Sequence, residues 1–306
     1  VKEIKLIAFP GAPNLPIFAA MEHGYFKDAG VEINMTTTPS SSYQAENMVN
    51  GTFDIAGSAF DNVVAYQEGQ GAVQFDKPTD LFAFMGATQI ELAFITQAGI
   101  KTFEDVKGKT LALDALNTGF AFVLYEMLEA AGLKPDDYKM DAVGATPVRW
   151  ESVKEGKHDG TLTIEPFTSI ARGLGFNILK TSTEMYSAYQ GGAFLSRRSW
   201  AKENPETLKG FIKGYLAGLE WTLDPANREA GTALLLEKMP AIKPGVAGNV
   251  MNSLLSPKSG LTPKAAILMD GVKKVLELRS KYVEGAKLTD PDKYIDLSYY
   301  NSVVGG

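Results

Sequence analysis

From residue 4 to residue 179, short apolar runs alternate with segments of helical period, and that alternation restricts the fold more than any other property of the chain. Ile4, Leu6 and Ala8 alternate with outward positions as a strand does, and further strands are expected at 31–35, 53–57, 81–87, 92–96, 109–113, 140–143, 161–164 and 176–179. Helical segments lie between them. Asn14 or Leu15 caps the first, with Pro16 in its opening turn and Ile17, Ala20 and Met21 on one face. Others are expected at 42–50, after a Ser58 cap, at 120–131, from Thr146-Pro147 onward, and at 166–172. Gly51, Gly69, Gly132 and Gly156 close four of these helices, a place that favours a residue free to turn left-handed. Strands and helices taking turns at this length indicate parallel sheets covered on both faces by helices.

After residue 193 the grammar changes. Asn204-Pro205 opens a long helix at 205–223 with Leu208, Phe211, Ile212, Tyr215, Leu216 and Leu219 on one stripe, and more helices are expected at 227–239, 245–255 and 262–284. A helical C-terminal region therefore packs on an α/β base. The 306 residues, 45% hydrophobic and 22% charged, suffice for two lobes with cores. A net charge of −6 argues against nucleic acid as a partner, and no apolar run is long enough to insert in a membrane. VKEIKLIAF already reads as a strand, so no targeting peptide is expected; an exported protein would have lost one. Without cysteine there is no disulfide, thiolate nucleophile or Cys-ligated zinc. With only His23 and His158, both in structural-looking positions, a histidine metal site is not expected either, and no cofactor is.

Two stretches echo each other. NGTFDIAGSAFDN (50–62) and EGKHDGTLTIEPF (155–167) share one frame: helix, glycine, two residues, aspartate, short strand, loop, helix. Each would present a loop at the carboxyl end of a strand, with Asp61 in one and Glu165 in the other, facing across a cleft.

EHGYFKDAGVEI, NGTFDIAGS, TFEDVKGKTLAL, LEAAGLKPDDY, EGKHDG followed by EP, and SRRSWAKENPETLKGFIKGYLAGLEW, in that order over residues 4–240, resemble the solute-binding proteins of bacterial ABC importers. The nearest branch is the one serving alkanesulfonates, nitrate, taurine and thiamine-pyrimidine precursors. The resemblance implies an α/β fold of type II periplasmic-binding-protein architecture: two Rossmann-like lobes joined by two crossing hinge strands. Lobe one would be 1–92 with 194–306, the helical C-terminal region packed on it, and lobe two 93–193; the hinges would lie near 92–96 and 191–196. It further implies a monomeric periplasmic receptor that closes on a small-molecule solute and docks on a membrane permease. An enzyme on the same two-lobed fold is the alternative. The pyrimidine-forming type is set aside because it carries a cysteine-rich motif; the menaquinone-pathway type is not excluded by composition. A transcription regulator would need a helix-turn-helix segment ahead of the first strand.

Ligands of such sheets bind at the carboxyl ends of the strands. The qualifying loops are 10–14, 38–42, 58–61, 114–119, 146–149 and 165–167, which bring in Asn14 and Ser41. Asn117, Thr118 and Gly119 offer donors at a helix start, suited to carboxylate, sulfonate or phosphate oxygens; Thr118 and Ser58 are equally plain helix caps. Arg149 sits in a first helical turn, where the helix dipole disfavours a cation, so something must offset it: a bidentate anion, or a structural partner among Glu151, Glu165 and Asp114. Asp61 and Glu165 would bind donor groups of the solute, or instead stabilise a helix turn and pair with Arg149, respectively. Phe9, Phe60, Phe120, Trp150 and Phe167 flank these loops as core or as an aromatic wall. The expected solute is a small organic molecule with an acidic group and a hydrogen-bond donor, in preference to bare nitrate or sulfate.

Overall fold

The computed structural model describes residues 1–305. Two five-stranded sheets organise it. The first, in the order β2-β1-β3-β10-β4, uses β1 (Lys2–Ala8), β2 (Val31–Thr37), β3 (Ile55–Ala59), β4 (Leu81–Thr88) and β10 (Gly192–Arg197). The second, in the order β7-β6-β8-β5-β9, uses β5 (Ala93–Thr96), β6 (Thr110–Leu113), β7 (Lys139–Ala142), β8 (Gly160–Thr163) and β9 (Asn177–Thr181). In each, four strands run in one direction and one inserted strand runs antiparallel to both neighbours: β10 against β3 and β4, and β5 against β8 and β9. The two sheets share one plan, and each receives its antiparallel strand at a crossing between the halves.

The chain passes between sheets at residues 89–92 and 182–191, and these passages touch. A Cβ on Gly191 would run into the Gln89 backbone, and one on Gly192 would stand 2.9 Å from Thr88 Oγ1. Adjacent glycines at this point therefore serve close approach. Of the segments where bending was expected, 92–96 is largely β5 and 191–196 is largely β10.

The sequence echo is structural. Asp54 N–H donates to Lys5 O (2.9 Å) while its carboxylate accepts from Lys5 N–H (2.9 Å), locking β3 beside β1. Asp159 does the same to Thr110, at 2.8 and 2.9 Å, locking β8 beside β6. The preceding glycines, Gly51 and Gly156, both have positive φ, at 84° and 76°. One aspartate thus satisfies both polar groups of a neighbouring strand residue in each half, which is why the spacing repeats.

The helix Pro205–Leu223 lies along the helix Leu15–Glu22 and the short helix Tyr25–Asp28. Gly210, Gly214 and Gly218 fall on one face at intervals of four, and a Cβ on any of them would collide with Val31, Phe26 or Ala20 respectively. Close packing of backbones replaces side-chain contact there. The buried stripe Leu208, Phe211, Ile212, Tyr215 and Leu219 completes this core.

Three expectations need correcting. Ser58 caps no helix: it lies within β3, and the helix Phe60–Gln67 starts after Ala59. The helix expected at 262–284 spans Met269–Tyr282, because Lys264 and Ala265 adopt positive φ in a 3-10 turn that helical geometry cannot continue. That helix also does not pack on the first half alone. Tyr282 stacks on Phe122 (5.8 Å between centroids) and Lys281 pairs with Glu129 (3.0 Å), both on the helix Gly119–Ala130 of the second half. One buried apolar cluster consequently runs through both halves, holding Val272 and Leu276 together with Phe122 and Leu128.

Candidate ligand-binding cleft

The carboxyl ends of β1, β3, β6 and β8 converge on one cavity of about 90 Å³ between the halves. At roughly 10–15 Å³ for each water-sized group, that is room for six to nine such groups. Phe9, Asn14, Ser58, Thr88, Phe194 and Tyr215 wall it from the first half. Asp114, Thr118, Gly119, Phe120, Thr146 and Arg149 wall it from the second. Four helices begin at or beside this wall: Ser41–Val49, Phe60–Gln67, Gly119–Ala130 and Thr146–Lys154. Their positive dipole ends make the cavity favourable to negative charge.

Arg149 is the one cation in the wall, and it is buried. Its Nε donates to Gly144 O (2.9 Å), one terminal nitrogen donates to Thr161 Oγ1 (2.7 Å) and to Leu162 O, and the other donates to Thr146 Oγ1 (2.9 Å). Four of five N–H groups are thus used, all on neutral acceptors. Burial pulls the guanidinium pKa down to about 10, against the nearby Asp114 carboxylate, which pushes it back up. It remains a cation at neutral pH, held with its charge uncompensated by direct contact.

Asp114 is the only carboxylate in the wall. It accepts from Ser41 N–H (3.3 and 3.1 Å) and Ser41 Oγ (3.2 Å), so it bridges the halves. Burial raises its pKa, opposed by Arg149 and by the Ser41 bonds. Ser41, buried beside the cavity, is committed to this bridge. Thr118 is the cap of its helix, accepting from Ala121 N–H at 3.2 Å. Asn14 uses its amide to donate to Phe9 O (2.9 Å), which folds the loop after β1 into the wall. Ser58 Oγ accepts from Asn62 Nδ2 at 2.9 Å.

Phe60, Asp61, Asn117, Glu165 and Phe167 stand outside the wall. Phe60 is fully buried in the core that runs through both halves, and Phe167 packs with Trp150 in the second half. Asp61 is gripped at both oxygens by Arg279, at 2.8 and 2.6 Å, a pair with relative exposures of 1% and 0%. Asn117 donates to Gln70 O (2.9 Å) and its carbonyl accepts from Arg279 (3.0 Å). Glu165 turns back on its own helix, accepting from Ser169 Oγ (2.8 Å) and Ser169 N–H (3.2 Å); it faces a separate polar crevice that it shares with Glu91 and Arg172. Burial raises its pKa, against the Ser169 bonds. Only its carbonyl reaches across, accepting from Ala12 N–H at 3.0 Å.

Thr88 and Tyr215 also belong to the wall, although neither lies on a loop that qualifies by sequence. Among the described residues four buried hydroxyls lack any hydrogen-bond partner, those of Thr79, Thr88, Tyr215 and Thr262, and two of these four belong to the cavity wall. The signal for Tyr215 was a hydroxyl in an otherwise apolar helical stripe. Among the described residues no group of three His, Cys, Asp or Glu side chains could hold a metal ion, and no helix is long and apolar enough to cross a membrane.

The halves touch around the cavity. Besides Ser41–Asp114 and Ala12–Glu165, Ala145 N–H donates to Pro39 O at 2.9 Å. Gly119 abuts Asp61 so closely that a Cβ would overlap its carboxylate.

Two α/β halves of one plan, closed over a cavity at their strand ends, are the architecture of type II periplasmic-binding proteins. The NMT1/THI5-like family profile matches residues 13–228, and the chain belongs to that family. It is 23% identical over 263 residues to the nitrate import ATP-binding protein NrtC of Synechococcus elongatus, a match covering 82% of this chain. The chain spans only 39% of that relative's length. Among solved structures, the periplasmic nitrate-binding protein NrtA from Synechocystis PCC 6803 superposes with a TM-score of 0.82 at 15% identity, covering 100% of this chain and 89% of that one. The alkanesulfonate-binding protein SsuA from Xanthomonas axonopodis pv. citri, bound to MOPS, gives 0.70 at 16% identity, covering 92% and 91%. The desulfurization enzyme DSZB gives 0.68 at 13% identity, covering 100% and 99%. At these identities the likeness concerns the fold, which serves binding proteins and at least one enzyme.

Proposed function

We propose that this protein is the solute receptor of an ABC importer: it captures a small organic acid between two closing lobes, 1–92 with 194–306 and 93–193, and presents it to a membrane permease from the periplasm. The observation that carries this is Arg149. It is a buried cation with no direct counter-ion, on a cavity wall where four helix starts add positive potential. An anionic group on the solute supplies the missing charge, and Arg149's one free N–H and the Thr118–Gly119 helix start supply donors. Asp114, the sole carboxylate in the wall, suits a hydrogen-bond donor elsewhere on the solute. Room for roughly six to nine water-sized groups favours a short organic acid over a bare oxyanion. The names of the relatives, nitrate import, nitrate binding and alkanesulfonate binding, agree with an anion as cargo.

An enzyme on this fold is the second reading, and one geometry bears on it. Ser152 Oγ bonds His158 Nδ1, and His158 Nε2 lies 3.0 Å from Asp141, an alignment that the sequence spacing had not suggested. These three residues do not line the cavity, and the wall itself holds no histidine, lysine or cysteine to act as base or nucleophile. The receptor reading therefore stands ahead.

Native mass spectrometry of the protein as purified, followed by a thermal-shift screen of short sulfonates, carboxylates, nitrate and sulfate, tests the proposal. An unreacted organic acid as passenger is expected, with stabilisation of about 2.7 kcal/mol at a hundred times its Kd. Stabilisation by nitrate or sulfate alone would reverse the choice of organic solute, and turnover of a bound acid would replace receptor by enzyme.

A further inference from the structure

The wall holds two hydroxyls that the fold itself leaves unused. Tyr215 and Thr88 are 0% and 1% exposed, both line the cavity, and neither hydroxyl has a partner. Phenylalanine and valine would fill the same spaces without stranding a polar group, so packing does not call for either hydroxyl. Tyr215 projects from the helix Pro205–Leu223, its ring held edge-on against Phe194 at 4.6 Å. Thr88 ends β4, beside Gly192, whose missing side chain leaves the space next to Thr88 Oγ1 clear. Both residues come from the first half, whereas Arg149, Asp114 and Thr118 come from the second. The polar groups of the cavity are thus divided between its two sides.

We propose that Tyr215 and Thr88 form a second polar subsite, and that the solute is an organic acid carrying an acceptor oxygen, hydroxyl or carbonyl, away from its acid group. The acid end meets the second half at Arg149. The far oxygen accepts from Tyr215 and Thr88 on the first half, so one molecule ties the two halves together. The inference rests on the anionic-solute reading above and adds to it what the other end of the solute must be. A site built around donors to such an oxygen rejects an analogue lacking it, because its hydroxyls then stay unpaired.

Calorimetric titration of two matched pairs tests this: butanoate against 4-hydroxybutanoate, and propanesulfonate against 3-hydroxypropanesulfonate. The hydroxy acid of at least one pair is expected to bind about tenfold tighter, equivalent to about 1.4 kcal/mol. In Tyr215→Phe and Thr88→Val that preference, the ratio of the two Kd values measured on the same variant, should shrink toward unity. Parent acids that bind through Arg149 with no gain from the hydroxyl would overturn the second subsite and leave the acid site standing; no binding by any of the four would remove both. A second readout needs no solute. If the hydroxyls are stranded, both variants should melt at or above the wild-type temperature, and a fall of more than about 3 °C would show them partnered in the ligand-free protein and overturn the inference.

Discussion

Among the described residues two arginines are buried, and their surroundings differ in whether the charge is met. Arg279 and Arg149 each spend at least four hydrogen bonds inside the protein. Arg279 spends two of them on Asp61, with a guanidinium carbon 4.9 Å above the Phe122 ring, so its charge is neutralised where it stands. Arg149 spends all of its bonds on carbonyls and hydroxyls. Its hydrogen-bonding capacity is nearly met and its charge is not. Counting hydrogen bonds alone would rank the two as equals; following the charge separates them, one paired inside the fold and the other, in the proposed receptor, the cation that a solute would answer.

The largest effect that can break this contrast is on stability. Arg279→Met strands the Asp61 carboxylate in the core and is expected to cost about 3–5 kcal/mol in denaturant unfolding, with Asp61→Asn/Arg279→Met recovering most of it. A loss below about 1 kcal/mol would mean that Asp61 finds other partners. Next comes Arg149→Lys, which keeps the charge but loses the planar fork. It should weaken binding of a short organic acid about a hundredfold, or about 2.7 kcal/mol, and cost less than that in stability.

The smallest effect concerns pH. The Asp114 pKa is raised above that of an ordinary aspartate, so its carboxyl is neutral below the shifted value and charged above it. For a sulfonate, which stays ionised throughout, affinity should rise as the pH falls through that range, by up to about tenfold, because the wall then keeps the Arg149 charge and loses the opposing one. Asp114→Asn should flatten the profile. The linkage to folding has the same sign: a raised carboxyl contributes stability that is present below the unfolded pKa and lost as pH rises through the folded one. Asp114→Asn is therefore close to neutral for stability at pH 7, and a large loss there would show that the Ser41 bonds outweigh the desolvation.

Local regularities of the chain were legible because the forces behind them act within a few residues. Alternating strands and helices and glycines at helix ends report backbone satisfaction at short range, and each appears in the folded structure, whereas the Asp54/Asp159 frame was legible only because it repeats, since each aspartate closes on a residue 49 positions earlier. The loops that meet at the cavity followed from the carboxyl ends of the strands. Which side chains on those loops face it did not. Asp61 is claimed by an arginine 218 positions away, a pairing that no local pattern announces. Glu165 is claimed by Ser169 four residues on, as a carboxylate can be wherever it immediately precedes a helix. Arg149 was singled out from sequence by its unfavourable place at a helix start, and that electrostatic conflict is the property that survives in three dimensions.

The decisive measurement is a calorimetric titration of propanesulfonate, and of its neutral sulfone analogue, into wild-type protein and Arg149→Lys at pH 7, with unfolding curves to show that both proteins are folded. Saturable binding of the sulfonate, none of the sulfone, and a loss of about a hundredfold in the variant are expected. Equal binding of sulfone and sulfonate would show that the buried charge of Arg149 is not what the solute answers, and an unchanged Kd in Arg149→Lys would show that its planar fork is not.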